Sequence, residues 1–184
     1  WAVDFGFNDP FVWQQWTRWD DDAWILTREI HLPGLLVEDA AKLILIAAAA
    51  DRPPMAVVCD HDREDRATLE RHLGRGTVPA NKKDVLAGIN AVGTRLKPGA
   101  NGKPRLLVCE DSLENAPNPE RKGAGSPIGF VAEIETYQWK PNKDEAGGFA
   151  KDEPLDRDNH SMDACRYAVG WMDAFGARGP GAAA

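Results

Sequence analysis

Three runs rich in aromatic and β-branched residues, 1–5, 11–19 and 24–31, stand at the head of the chain with only short breaks between them. Such residues suit a pleated, half-buried surface. The breaks carry the turn formers Gly6, Asn8, Asp9 and Pro10, then Asp20-Asp21-Asp22, which leave room for tight connections and little else. The chain therefore opens as three neighbouring antiparallel strands.

The remainder of the chain has another rhythm. Residues 37–50 predict a helix, apolar nearly all round towards its end and hence buried, stopped by Pro53-Pro54. The apolar run 55–59 suits a central strand covered on both faces. A charged helix at 62–73 turns Leu69 and Leu73 inward, Val78 is a short strand, and Asp84 caps a helix at 84–96. Residues 105–109 read as the next buried strand, 116–129 as a Pro/Gly-rich loop and 130–139 as a further strand. A polar stretch with Gly147-Gly148 leads to a final helix at 160–175. A meander followed by alternating helices and strands predicts an α/β fold with a mixed sheet.

With 184 residues the chain has the length of one domain, placed at 1–175, and the Gly- and Ala-rich end 176–184 reads as a disordered tail. The start, strand-like from Trp1 and without Met, is expected to be a cut near a domain boundary in a longer chain. The longest apolar run, 43–50, is short against the about 20 residues that span a bilayer, and no secretory leader is visible. Cys59, Cys109 and Cys165 are far apart, each in an apolar stretch, and read as small buried residues of a reducing compartment. A net charge of −7 argues against tight DNA binding by the isolated chain, because phosphate affinity is driven by Lys and Arg.

The chemistry is carried by acids at the ends of elements. Asp4 closes the first strand, Asp60 closes the strand 55–59, and Asp163 lies about a turn into the last helix, near a cap at Asp158 or Asn159. Crevices in such sheets lie beyond the carboxyl ends of strands. If the first and fourth strands are neighbours, the three carboxylates meet at one sheet edge. Phosphodiester hydrolysis by two divalent ions needs that convergence, and an all-carboxylate set without His or Cys ligands suits Mg²⁺ or Mn²⁺. A lone Asp after a strand is usually a turn or cap residue, and spacing alone does not bring the three together.

Four segments resemble motifs of the nuclease domain of viral (bacteriophage) terminase large subunits. They are Val3-Asp4-Phe5-Gly6-Phe7-Asn8-Asp9-Pro10, Cys59-Asp60-His61-Asp62-Arg63-Glu64, the lysine segment Val78-Pro79-Ala80-Asn81-Lys82-Lys83-Asp84-Val85, and the closing Asp158-Asn159-His160-Ser161-Met162-Asp163-Ala164-Cys165-Arg166-Tyr167-Ala168. They occur in order over nearly the whole chain. The resemblance implies a ribonuclease H-like domain that cuts concatemeric double-stranded viral DNA during genome packaging. It implies metal-binding acids at Asp4, Asp60 and Asp163, and action in the host cytoplasm, transiently on the procapsid, with portal protein and small terminase subunit as partners. Asn81 interrupts the family's Ala-Lys-Lys run, and no Gly-x-x-x-x-Gly-Lys-Ser/Thr phosphate loop of an ATPase motor occurs.

Around this core the sequence offers supporting residues. His160, three residues before Asp163, either relays a proton or forms a hydrogen bond at the helix start. Glu64 is a further metal or water contact, whereas Asp62 favours its helix dipole and Asp9 is a turn residue. Lys82 and Lys83 are candidate phosphate contacts, as are Arg121 and Lys122 on a flexible loop. Glu110 and Asp111, also after a buried strand, compete with Asp60. Met162, Cys165, Val169 and Met172 recur at helical spacing as core, and Trp13, Trp16, Trp19 and Trp24 pack the sheet. Rival functions are a junction resolvase or hybrid nuclease of the same fold, a non-catalytic docking module of the packaging motor, and a sugar-kinase-like ATP-binding domain. The last lacks its Gly-Thr phosphate motifs here.

Overall fold

The computed structural model describes residues 1–20, 23–82, 84–140 and 154–178. Among these, six strands form one sheet: β1 (Ala2–Asp4), β2 (Phe11–Arg18), β3 (Trp24–Leu32), β4 (Val58–Cys59), β5 (Val78–Pro79) and β6 (Leu106–Val108). The helices are α1 (Val37–Ala47), α2 (Arg63–Leu73), α3 (Val85–Leu96), α4 (Pro119–Gly123), α5 (Phe130–Thr136) and α6 (His160–Arg178). The strand order is β5-β4-β1-β2-β3-β6. The expected meander is present: β1 runs antiparallel to β2 and β2 to β3, with a bulge between Gln15 and Trp16. The first and fourth strands are neighbours, in parallel, with Val3 opposite Cys59. β5 and β6 extend the two edges in parallel with β4 and β3.

Strand alternation sorts the side chains between two helical layers. Val3, Phe11, Trp13 and Ile30 join Ala40, Ala41 and Ile44 of α1 and Leu69 and Leu73 of α2 in one apolar cluster. Ala2, Val12, Trp16, Leu26 and Leu106 point the other way, onto Val92 of α3, Phe130 of α5 and Met162, Cys165, Val169 and Met172 of α6. Asp4, two residues on from Ala2, shares its face and looks towards α6. The caps of the middle helices follow local chemistry. Asp62 accepts the amides of Glu64 and Asp65, Asp84 accepts that of Ala87, and Gly74 ends α2 in the left-handed region.

Several expectations need correction. Residues 130–139 are not a strand: α5 occupies Phe130–Thr136. Its β-branched content misled, but Phe130, Ile134 and Tyr137, the residues that meet the core, recur at helical spacing. Of the run 55–59 only Val58–Cys59 is strand, and Met55 is 61% exposed. The end of α1 is not buried all round, because only one side of the helix meets the sheet; Leu45 and Ile46 face outwards. Strand β6 is an edge in which only Leu106 is buried. Trp19 is exposed, past the end of β2, while Trp13, Trp16 and Trp24 pack as expected. Helix α6 continues to Arg178, into the stretch read as tail, and the loop 116–129 contains α4. The turn residues Asp21 and Asp22, the Gly147-Gly148 stretch, Lys83 and residues 179–184 lie outside the described residues. Cys59 and Cys165 are buried, Cys109 is partly so, and all three are free. No helix among the described residues is long and apolar enough to cross a membrane.

Candidate active site

Asp4 ends β1 and is 5% exposed. Asp60 follows β4 directly and extends the parallel pairing by one bond, its amide donating to the carbonyl of Val3 at 3.1 Å. Both acids thus leave adjacent parallel strands at the same end. Past Asp4 the chain must fold back at once, and Gly6 permits it. A Cβ there would lie 2.6 Å from the carbonyl oxygen of Pro10, closer than any side chain tolerates. Helix α6 lies across this end. Its Tyr167 hydroxyl donates to Asp4 Oδ1 at 3.1 Å, and His160 Nδ1 stands 3.1 Å from Asp4 Oδ2. Asp163, on the same helix face, is bound by Arg166 at 2.5 Å.

The three acids share one electrostatic environment. Burial, followed by the charges of Asp4, Asp163 and Asp60, pushes the Tyr167 phenol well above its ordinary range, so it stays a donor. Burial also raises the carboxyl of Asp163; Arg166 opposes this, and Asp4 adds to it. For Asp60 burial acts upwards, but hydrogen bonds from Lys82 and His61 outweigh it and hold the carboxyl below its usual value. Burial would lower His160; the hydrogen bond and charge of Asp4 prevail and raise it, with Glu133 and Asp9 contributing. The charges of all three acids act on Tyr167, and each acid has a partner of its own: Tyr167 and His160 for Asp4, Lys82 and His61 for Asp60, Arg166 for Asp163.

The supporting residues fare unevenly. Lys82 reaches the site but is engaged there, its Nζ 2.5 Å from Asp60 Oδ2 with the side chain 33% exposed. Lys83 lies outside the described residues. Glu64 is exposed on the first turn of α2, and it is Asp65, partly buried, that feels the charge of Asp60. Asp9, read as a turn residue, comes within 3.9 Å of His160 Nε2. Arg121 is not on a free loop: it sits in α4, with its guanidinium donating to Asp158 at 2.7 Å and to the carbonyl of Pro127. Lys122 is exposed on the same helix. Glu110 and Asp111 follow the edge strand β6, separated from β1 by β2 and β3, and are out of the competition.

Sequence reasoning gave no role to Arg166 and Tyr167, although both belong to the closing motif. The signal was present: they stand three and four positions after Asp163, on the helix face that carries the acid. Lys82 and Arg166 both approach the Tyr167 ring, at 5.5 and 5.9 Å from its centre. Gly88 of α3 makes room for Arg166, since a Cβ there would come within 3.3 Å of its Cδ.

All-oxygen donors of three carboxylates have the right chemistry for Mg²⁺ or Mn²⁺. Their mutual charge, visible in the effect of Asp4 on Asp163, is what a cation would relieve. The ligand arrangement itself is not assembled: among the described residues no three His, Cys, Asp or Glu side chains are grouped to hold one ion.

Comparison with solved structures finds a similar fold in the large terminase of a thermophilic bacteriophage, with a TM-score of 0.65 and 22% identity over 92% of this chain. The chain spans 38% of the length of that protein. The nuclease domain of the large terminase (g2p) of bacteriophage SPP1, solved with bound Mn, gives a TM-score of 0.59 and 17% identity over 92% of this chain and 84% of that domain. No family model matches the sequence, and no curated protein matches it. The fold, a mixed six-stranded sheet between helices, is similar to the folds of these terminase structures.

Proposed function

We propose that this chain is a metal-dependent endodeoxyribonuclease that cuts concatemeric double-stranded viral DNA during genome packaging. The observation that carries this reading is the placement of Tyr167, which bonds Asp4 and feels the charges of Asp163 and Asp60, on a fold similar to that of a terminase nuclease domain. These acids would hold divalent ions, one or two in number. Bound there, Mg²⁺ or Mn²⁺ supplies the Lewis acidity that phosphodiester hydrolysis by water requires. The protein's own groups do the rest. His160 lies against Asp4 and can hold or pass on a proton at the imidazole. Tyr167 fixes one oxygen of Asp4, leaving the other towards His160. Lys82, paired with Asp60, would be the contact for a phosphate oxygen.

Phosphate-dominated contacts position a duplex without reading its bases, so little sequence preference is expected. The net charge of −7 keeps intrinsic DNA affinity weak. Portal protein and small terminase subunit, in the host cytoplasm, would supply what the isolated chain lacks in grip.

Plasmid cutting in Mn²⁺ tests the reading. Asp4→Ala, Asp60→Ala and Asp163→Ala should each lower the rate by at least about a hundredfold with circular dichroism unchanged. Full activity in all three variants, or a parent chain that binds no divalent ion by calorimetry, refutes it. Parallel four-way-junction and RNA–DNA hybrid substrates separate this activity from its relatives.

A further inference from the structure

Beneath the acids lies a second group of buried polar side chains, none of which the proposed chemistry uses. Glu29 of β3 and Glu133 of α5 are 1% and 0% exposed, and His31 and Gln14 beside them are fully buried. Isolated acids so deep in a core cost several kcal/mol unless hydrogen-bonded, and here the bonds follow a pattern. Glu29 Oε1 accepts from Gln14 Nε2 at 2.9 Å, and its Oε2 accepts the amide of Phe130, the first residue of α5, at 2.7 Å. Helix α5 has no side-chain cap of its own, because its N-cap is Gly129, which any Cβ would press to 3.0 Å from that same Oε2. Glu133, one turn along α5, repeats the arrangement on the next helix. Its Oε2 accepts the amides of Ser161 and Met162 at 2.7 and 3.3 Å, and its Oε1 lies 2.8 Å from His31 Nε2. Gln14 completes the circuit by donating to the carbonyl of Ser161 at 3.0 Å.

The amides of a first helical turn have no partner within their helix. In α6 that turn carries His160 and Asp163. The geometry points to Glu133, held by His31, as a positioning residue: by accepting the Ser161 and Met162 amides it fixes the first turn of α6, and with it the places of His160 and Asp163 relative to Asp4. Glu29 does the same for α5, so a chain of two carboxylate caps runs from the middle of the sheet to the acids. The ion pair of Arg121 with Asp158, whose backbone is left-handed at φ 51°, steadies the approach to the same turn from outside. The consequence for cutting rests on the nuclease reading; the placement of the turn does not.

Two variants of similar volume separate the alternatives. Glu133→Met fills the space without an acceptor, whereas Glu133→Gln keeps one. In Glu133→Met, amide hydrogen exchange at Ser161 and Met162 should speed by about tenfold relative to Val169 further along the helix. The ring ¹⁵N resonances of His160 at fixed pH should move as its contact with Asp4 loosens. The Mn²⁺ concentration for half-maximal cutting should rise by about tenfold while KM for DNA holds. Glu133→Gln should return all three readings to within about threefold of the parent. A folded Glu133→Met with unchanged exchange and unchanged His160 resonances overturns the proposal. If Glu133→Met does not fold, Glu133→Gln decides: a displaced His160 despite the retained acceptor overturns it, and a held one supports it. Should the parent cut no DNA, the nuclease reading falls, and exchange and resonances still judge the placement.

Discussion

On the side of α1 and α2 the sheet meets its helices through apolar side chains, Val3, Phe11, Trp13 and Ile30 against Ala40, Ala41, Ile44 and Leu69. On the side of α5 and α6 the same strands offer Asp4, Gln14, Glu29 and His31 within an apolar surround, each bonded to a named partner. Apolar burial is non-directional and roughly proportional to area, so the first face can hold the fold together without fixing any one atom. Hydrogen bonds in a dry interior depend on distance and angle, so the second face spends stability on placement. Both layers bury apolar side chains; only the second also aims a helix.

That contrast can be attacked from both sides. The largest change in stability is expected on the apolar face. Trp13→Ala, at a fully buried position, should cost about 3–5 kcal/mol in urea unfolding, with little dependence on pH. A loss below about 1 kcal/mol would mean this face is not the main source of stability. On the polar face the expected signature is pH dependence. Burial raises the Glu29 carboxyl above its ordinary value of 4.5. A raised folded-state value means the contribution is complete below about pH 4.5 and is lost as pH rises through the folded value. Glu29→Gln removes this titration, so its urea midpoint should gain on the native one as pH rises above about 4.5. Parallel midpoints across that range would contradict the burial argument.

Smaller effects belong to the rim. Arg28 donates to Asp51 and to the carbonyl of Ala47 at the end of α1, with both ion-pair side chains roughly a third exposed. Asp51→Asn should cost at most about 1 kcal/mol and less at high salt. Ile46→Lys, on the outward side of α1 at 72% exposure, should leave stability within about 0.5 kcal/mol. A large loss there would show that this side of α1 is covered in solution.

The meander was legible in the sequence because three aromatic-rich runs separated by turn formers have few other ways to fold. The places of the principal acids were legible because Asp4 and Asp60 close adjacent strands and Asp163 lies in the first turn of the last helix. Helix α5 was not, since Val131, Ile134 and Thr136 are β-branched and only its packing against α6 selects the helical period. The role of Glu133 was hidden for the same reason: a carboxylate that caps another helix leaves no trace in local spacing. Arg121 looked like a free cation because its partner, Asp158, is distant in the chain. Lys82 was found, but its pairing with Asp60 follows from the edge strand β5 and not from any motif.

The bond from the Asp60 amide to the carbonyl of Val3 has one more implication. Segments remote from each other in the chain must zip together before the acids become neighbours, and the third acid arrives only with a helix near the far end. A half-folded or clipped molecule therefore lacks the cluster altogether. For a nuclease of the kind proposed, a chain missing either end would hold no complete set of acids.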